Sequence, residues 1–211
     1  MDGAQRDSRC EGYGLPLFGS PDHVSCYALT IEEHSQLHVD LKRGQFPSLD
    51  PDLQNALEDA AVYRLMAAGF KRYEISNYAQ AGHTCRHNLL YWQGEDYLGL
   101  GPSAESFVNS VRFGNVDDLE VYHGEIAAGR IPVGQWEPLT MEQRRREALV
   151  FGLRLTHGVP SRLVEIDNPD RQWIAQIDRL MSEGLLEKRA DRIRLTREGR
   201  RWADSVAVAL L

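Results

Sequence analysis

Residues 73–106 read YEISNYAQAGHTCRHNLLYWQGEDYLGLGPSAES. Tyr73 and Ile75 alternate with polar neighbours, the pattern of a short buried strand. Ala79 to Thr84 is small and polar, with Gly82 as its turn residue. Cys85, Arg86, His87 and Asn88 read as a further turn, whose side chains can donate, accept or ligate. Tyr91 and Trp92 follow, large aromatics with one polar handle each. Tyr97 to Leu100 reads as a second short strand. It runs into Gly101-Pro102-Ser103-Ala104, where lack of bulk lets backbone approach a ligand.

Upstream, Val24 to Ile31 is nearly continuous in apolar character, as a parallel strand covered on both faces would be. Residues 35–43 predict a short helix stopped at Gly44. Asp50 and Pro51 suit the cap and first position of a longer helix. Its stripe is Leu53, Ala56, Leu57, Ala60, Tyr63 and Ala67, and Gly69 closes it. Strand, helix and strand from Val24 to Ser76 predict a βαβ unit with parallel strands.

Downstream, Phe107 to Phe113 reads as strand or loop, and Asp117 to Ala128 as a helix closed by Gly129. Pro132 to Pro138 reads as a linker. Thr140 and Gln143 form a capping box opening another helix, whose core face includes Ala148, Leu149, Phe151, Gly152 and Leu155. Pro169 to Glu183 predicts a helix with Trp173, Ile177, Leu180 and Met181 inward, ended by Gly184. A hairpin follows over Leu185 to Leu195, turning near Ala190-Asp191. Thr196 caps a last helix to Leu211. Helix, hairpin and helix in that order predict a winged-helix-like module.

The fold class is therefore α/β. An irregular start (1–21) leads into an α/β segment (22–139), then a mainly helical winged-helix-like module (140–211). Charge supports the second boundary. Residues 141–211 carry 14 Lys and Arg against 11 Asp and Glu, whereas residues 1–140 carry 10 against 20. The net charge of −7 disfavours general nucleic-acid binding. No apolar run is long enough to cross a bilayer, and the start lacks the pattern of a secretory leader. Three cysteines at irregular spacing, Cys10, Cys26 and Cys85, fit no disulfide framework and suit a reducing cytoplasm.

Three linked motifs carry a family resemblance: Tyr73 to Asn77, the HNxxYW run His87 to Trp92, and Tyr97 to Pro102. Together they resemble the oxygen-independent coproporphyrinogen III oxidase-like branch of the radical SAM enzymes, and within it the heme chaperones. The resemblance implies the later part of an open partial (β/α) barrel. It also implies a loop at Gly99, Gly101 and Ala104 beside the ligand-bearing mouth, and a role in heme or porphyrin metabolism. Tyr13-Gly14-Leu15-Pro16 resembles the YGLP ending a barrel strand, with Cys10 where the family has an acidic residue for adenosylmethionine. Only Leu17 to Pro21 then precedes the next segment, too short for a parallel crossover, so the start reads as truncated. The family's GPGAHS stands here as Gly101-Pro102-Ser103-Ala104-Glu105-Ser106.

The family binds a [4Fe–4S] cluster and S-adenosylmethionine through CxxxCxxC, since clusters need thiolates. Here the cysteines lie 16 and 59 positions apart, and an inactive chain is expected as far as radical chemistry goes. Heme is the cofactor the resemblance implies, and a heme-accepting protein its partner. His87 is the candidate axial ligand and Cys85 the rival donor. Asn88, Tyr91 and Trp92 are candidate contacts. A structural reading stands beside this one: His87 bonding a buried backbone group, and the aromatics filling core. Two further functions remain open, the coproporphyrinogen III dehydrogenase itself and a winged-helix nucleic-acid binder. The latter would use Arg144, Arg145, Arg146, Lys188, Arg189, Arg192 and Arg194 on phosphates. A solvated helix face and a charged sheet edge explain those cations equally.

Overall fold

The computed structural model describes residues 21–48, 50–165 and 170–211. Cys10 and Tyr13-Gly14-Leu15-Pro16 lie outside the described residues. The described residues form a mixed α/β fold of helices and three small antiparallel sheets.

The first sheet joins β1 (His23–Ser25), β2 (Lys71–Arg72) and β3 (Asn77–Ala79), in the order β1-β3-β2. Two helices separate β1 from β2. In α1 (Gln36–Lys42) the Ser35 hydroxyl accepts from the His38 N–H. In α2 (Pro51–Ala67) the Asp50 carboxylate accepts from the Asp52 and Leu53 N–H groups, and Pro51 occupies the first turn. Helix α3 (Arg86–Gln93) follows β3 and ends at Gly94, whose left-handed φ of 66° lets its N–H reach the Leu90 and Tyr91 carbonyls.

The second sheet contains β4 (Glu105–Val108), β5 (Val111–Asn115) and β6 (Val133–Pro138). Asn109 and Ser110 join β4 to β5 with φ of 51° and 65°. Two left-handed central residues make the type I′ turn that matches strand twist. The Ser110 carbonyl accepts from the Leu139 N–H at 2.8 Å, fastening the hairpin tip to the chain after β6. Helix α4 (Leu119–Ala127), capped by Asp118, connects β5 to β6.

From Thr140 onward the elements are α5 (Met141–Gly152), β7 (Val159–Pro160), α6 (Arg171–Ser182), β8 (Leu186–Arg189), β9 (Arg192–Leu195), α7 (Arg197–Arg201) and α8 (Ala203–Leu210). The capping box at Thr140 and Gln143 forms as its sequence predicts. Strands pair in the order β7-β9-β8, giving a helical winged-helix-like arrangement. Its enclosed core gathers Leu149, Leu153, Trp173, Ile177, Leu180, Leu186, Ile193, Val206 and Leu210. Trp173 Nε1 donates to the Leu210 carbonyl at 3.0 Å, locking α6 to α8.

Several expectations are corrected. The strand over Val24 to Ile31 is only β1. Beyond the Cys26 N–H, which reaches the Ser76 carbonyl, no described strand offers it a ladder, and Tyr27 and Leu29 are exposed. The parallel βαβ unit is also different. The chain reverses at Glu74-Ile75, so β3 is antiparallel to both β2 and β1 and lies between them. β1 and β2 point the same way but are not neighbours. Cys85 to Asn88 is no turn: Cys85 is the N-cap of α3 and the rest its first residues. Tyr97 to Leu100 makes only a bridge, Tyr97 to Phe107. Gly99 packs so close to the Glu105 carbonyl that an added Cβ would lie 2.3 Å from it. The expected linker over Pro132 to Pro138 holds β6, an edge strand whose six residues are all exposed and so lack apolar alternation. The final helix breaks at Trp202 into α7 and α8. The stripe of α2 buries no residue.

Candidate functional site

Helix α3 divides the HNxxYW motif between two faces, because residues four apart share a face. His87 and Tyr91 form one. Tyr91 Oη lies 3.1 Å from His87 Nε2, and the rings meet edge-on at 4.8 Å. His87 is exposed. Asn88 and Trp92 form the other face. Asn88 Nδ2 donates to Tyr73 Oη at 3.2 Å, and the same hydroxyl lies 2.9 Å from His23 Nε2. Burial pushes the Tyr73 phenol up, against the Asn88 hydrogen bond. Tyr73 thus stays a neutral O–H joining β1, the reversal before β3 and α3.

Beside Tyr91 opens a cavity of about 560 Å³, within the range of small-molecule sites. Tyr91, Trp92, Tyr97 and Phe107 give it an aromatic wall. Tyr91 and Tyr97 meet edge-on at 4.6 Å, and the Tyr97 and Phe107 centroids lie 6.4 Å apart. Ala148 and Phe151 of α5 close the far side. Gly152 of α5 leaves room for the Val159 side chain, from which an added Cβ would lie only 2.3 Å.

The charged lining is Arg112, Glu147 and Arg144. Arg112 donates to Glu147 at 2.7 Å and Glu137 at 3.2 Å. Burial works against its charge, yet the Glu147 hydrogen bond and charge outweigh it, and Arg112 titrates above its ordinary range. It clamps β5, β6 and α5. Burial likewise raises the Tyr97 phenol, against the pull of Arg112. Arg144 donates to the Ser110 hydroxyl and lies over the Phe107 ring, 5.4 Å from its centroid.

Behind Trp92 lies a buried polar cluster. The Arg154 guanidinium stacks 4.4 Å above the Trp92 ring, and its Nη2 lies 3.7 Å from Glu74 Oε2. Glu74 is 0% exposed, and its Oε1 accepts from the Ser76 N–H at 2.7 Å and Asn77 Nδ2 at 2.6 Å. Glu74 Oε2, Arg154 Nε and Trp92 Nε1 are buried without hydrogen-bond partners among the described residues.

The structure therefore brings Tyr91 and Trp92 to one cavity, with His87 adjoining through Tyr91. Asn88 ties α3 to Tyr73. Cys85, at the N-cap, does not line the cavity. Gly99, Gly101 and Ala104 do not line it either, and their loop bonds internally. Asn115 Nδ2 donates to the Gly99 and Gly101 carbonyls, the Gly101 N–H to Tyr122 Oη, and the Ala104 N–H to the Gly101 carbonyl. Sequence reasoning missed Phe107, Arg112 and Glu147 as cavity residues, and Glu74 with Arg154 as the support behind it. Phe107 and Arg112 on a hairpin next to an aromatic motif were the available signal. Arg154 had none.

Three of the four wing cations have internal partners. Lys188 bonds Glu165, Arg194 bonds Glu187, and Arg192 donates to the His157 and Gly158 carbonyls. Among the described residues no helix is long and apolar enough to cross a membrane.

Comparisons with known proteins agree with this architecture. The domain family described as HemN C-terminal domain matches residues 139–202. The heme chaperone HemW of Mycobacterium tuberculosis is 35% identical over 190 residues, covering 90% of this chain and 47% of that protein. HemW of Synechocystis is 36% identical over 155 residues, covering 69% and 36%. The chain thus spans about half the length of the curated relatives it matches, or less. Coproporphyrinogen III oxidase (HemN) from Escherichia coli, a radical SAM enzyme, shares the fold with a TM-score of 0.65 at 14% identity. That likeness covers 90% of this chain and 48% of the other. With a HemN-type C-terminal domain and heme chaperones at 35–36% identity among its relatives, this chain belongs to the HemN-like heme chaperone branch of the radical SAM family.

Proposed function

We propose that this chain binds heme, or a closely related porphyrin, at the α3 cavity, as the heme-handling part of a chaperone that passes it to an acceptor protein. The observation carrying this is the aromatic cavity itself: Tyr91, Trp92, Tyr97 and Phe107 line about 560 Å³, and His87 touches one of its walls. An aromatic lining suits a large, flat, apolar macrocycle. His87 suits an iron ligand, because a neutral imidazole keeps one lone pair and this one is exposed. If Nε2–H donates to Tyr91, Nδ1 carries that pair; if Tyr91 donates, rotation of its hydroxyl frees Nε2.

Cluster chemistry does not fit the described residues. Among them no group of three or more His, Cys, Asp or Glu could hold a metal ion. Cys26 and Cys85 lie in different elements.

Titration with hemin tests the proposal. Wild type should give a stoichiometric Soret band, which His87→Ala shifts and weakens by about tenfold in affinity, ~1.4 kcal/mol. Cys85→Ala should leave the spectrum unchanged. A normally folded His87→Ala with a wild-type spectrum, or loss of the band in Cys85→Ala alone, would sink the assignment of the ligand.

A further inference from the structure

The two arginines of the α3 cavity stand in different electrostatic states. Arg112 is held by two carboxylates, Glu137 and Glu147, so its charge is spent inside the fold. Arg144 has no carboxylate within ion-pair distance among the described residues. Its side chain meets a neutral hydroxyl, Ser110, and an aromatic ring, Phe107. The cavity is otherwise mostly aromatic and aliphatic, and its one lining acidic side chain, Glu147, is engaged by Arg112; Leu211, with the terminal carboxyl, also lines it. A guanidinium has five donors in a rigid fork suited to carboxylates, and Ser110 engages one nitrogen.

Arg144 is also held in place. The Asn109-Ser110 turn is fixed by its type I′ geometry and by the Leu139 N–H bonding the Ser110 carbonyl. The Thr140 capping box fixes the start of α5, where Arg144 sits. Both ends of the Arg144–Ser110 contact are thus carried on fixed backbone, which limits the freedom lost when an anion binds.

We infer that Arg144 is the anion-binding residue of this cavity, and that the ligand is a planar, largely apolar ring system carrying at least one carboxylate. The inference rests on the porphyrin reading above and adds the group that orients the ring. Rings lie against Tyr91, Tyr97 and Phe107, and the carboxylate meets Arg144 at the lip. The charge-assisted bond fixes which edge of the ring faces out.

Metal-free protoporphyrin IX and its dimethyl ester provide the test, because neither depends on iron ligation by His87. Fluorescence titration of wild type should show the free acid binding about tenfold more tightly than the ester. Arg144→Gln should erase that difference by weakening the acid, leaving the ester unchanged. Arg144→Lys, keeping charge but not the fork, should fall between. Equal binding of acid and ester to wild type, an undiminished preference in Arg144→Gln, or no binding of protoporphyrin would each overturn the inference. Hemin binding weakened in His87→Ala, with protoporphyrin binding intact in the same variant, would support the heme reading whatever Arg144 does.

Discussion

Helices α2 and α5 carry similar apolar stripes on paper and meet opposite fates. α5 places Leu149 and Val150 in the core shared with α6, α8 and the β8–β9 hairpin, and Leu149 is 0% exposed. α2 runs for 17 residues and buries none of them; Leu57 is 62% exposed and Tyr63 75%. Amphipathic pattern is therefore a request for a second layer, and the layer decides whether burial follows. Residues 140–211 supply their own. In residues 22–139 most of the enclosed side chains, Tyr73, Tyr78 and Glu74 among them, cluster in and around the first sheet, while Ser106 and Phe107 are enclosed in the second. Part of that cluster is finished by residues from beyond Thr140: the Thr156 N–H donates to the Tyr73 carbonyl at 3.0 Å, and Glu74 bridges to Leu155.

That contrast can be broken by measurement. Leu149→Ala removes a fully enclosed side chain and should lower unfolding free energy by about 2–5 kcal/mol. A chemical denaturation shift worth under 1 kcal/mol would mean the core is not where stability resides. Glu74→Gln keeps an oxygen for the Ser76 N–H but leaves Arg154 without its nearest anion. It should cost about 1–3 kcal/mol and alter Trp92 emission, since Arg154 stacks on that ring. Unchanged stability with unchanged emission would show that the two regions are not coupled there. Leu57→Ala, on the open face of α2, should change stability by less than about 0.5 kcal/mol. A loss of 2 kcal/mol would mean that this face is covered in solution.

The C-terminal module was legible because its signals are local. Thr140 with Gln143, Gly184, Ala190 at φ 53° and Thr196 all mark element ends through their own side chain or dihedral. The first sheet was less legible because strand order is a non-local choice: nothing in the apolar run of Val24 to Ile31 says that β3 inserts between β1 and β2. Strand β6 was hidden because it faces solvent on both sides. Within the site, HNxxYW drew attention to the right helix. Its division into a Tyr91 face and a Trp92 face follows only once Cys85 to Asn88 is seen as helix. Arg112 and Arg144 differ only in the neighbours that folding gives them, Glu147 for one and Ser110 for the other.

The Glu74–Arg154 contact also bears on how such chains can be recombined. The matching C-terminal family begins at residue 139, which invites treating that position as a seam for swapping modules. Glu74 lies upstream of it and Arg154 downstream, and both have buried polar atoms still seeking partners. A module grafted from a relative would bring its own core. It would leave the enclosed Glu74 carboxyl without its arginine neighbour unless it also brought an arginine at position 154. The seam therefore has a lock, and chimeras across it should be chosen by that one residue before overall similarity is considered.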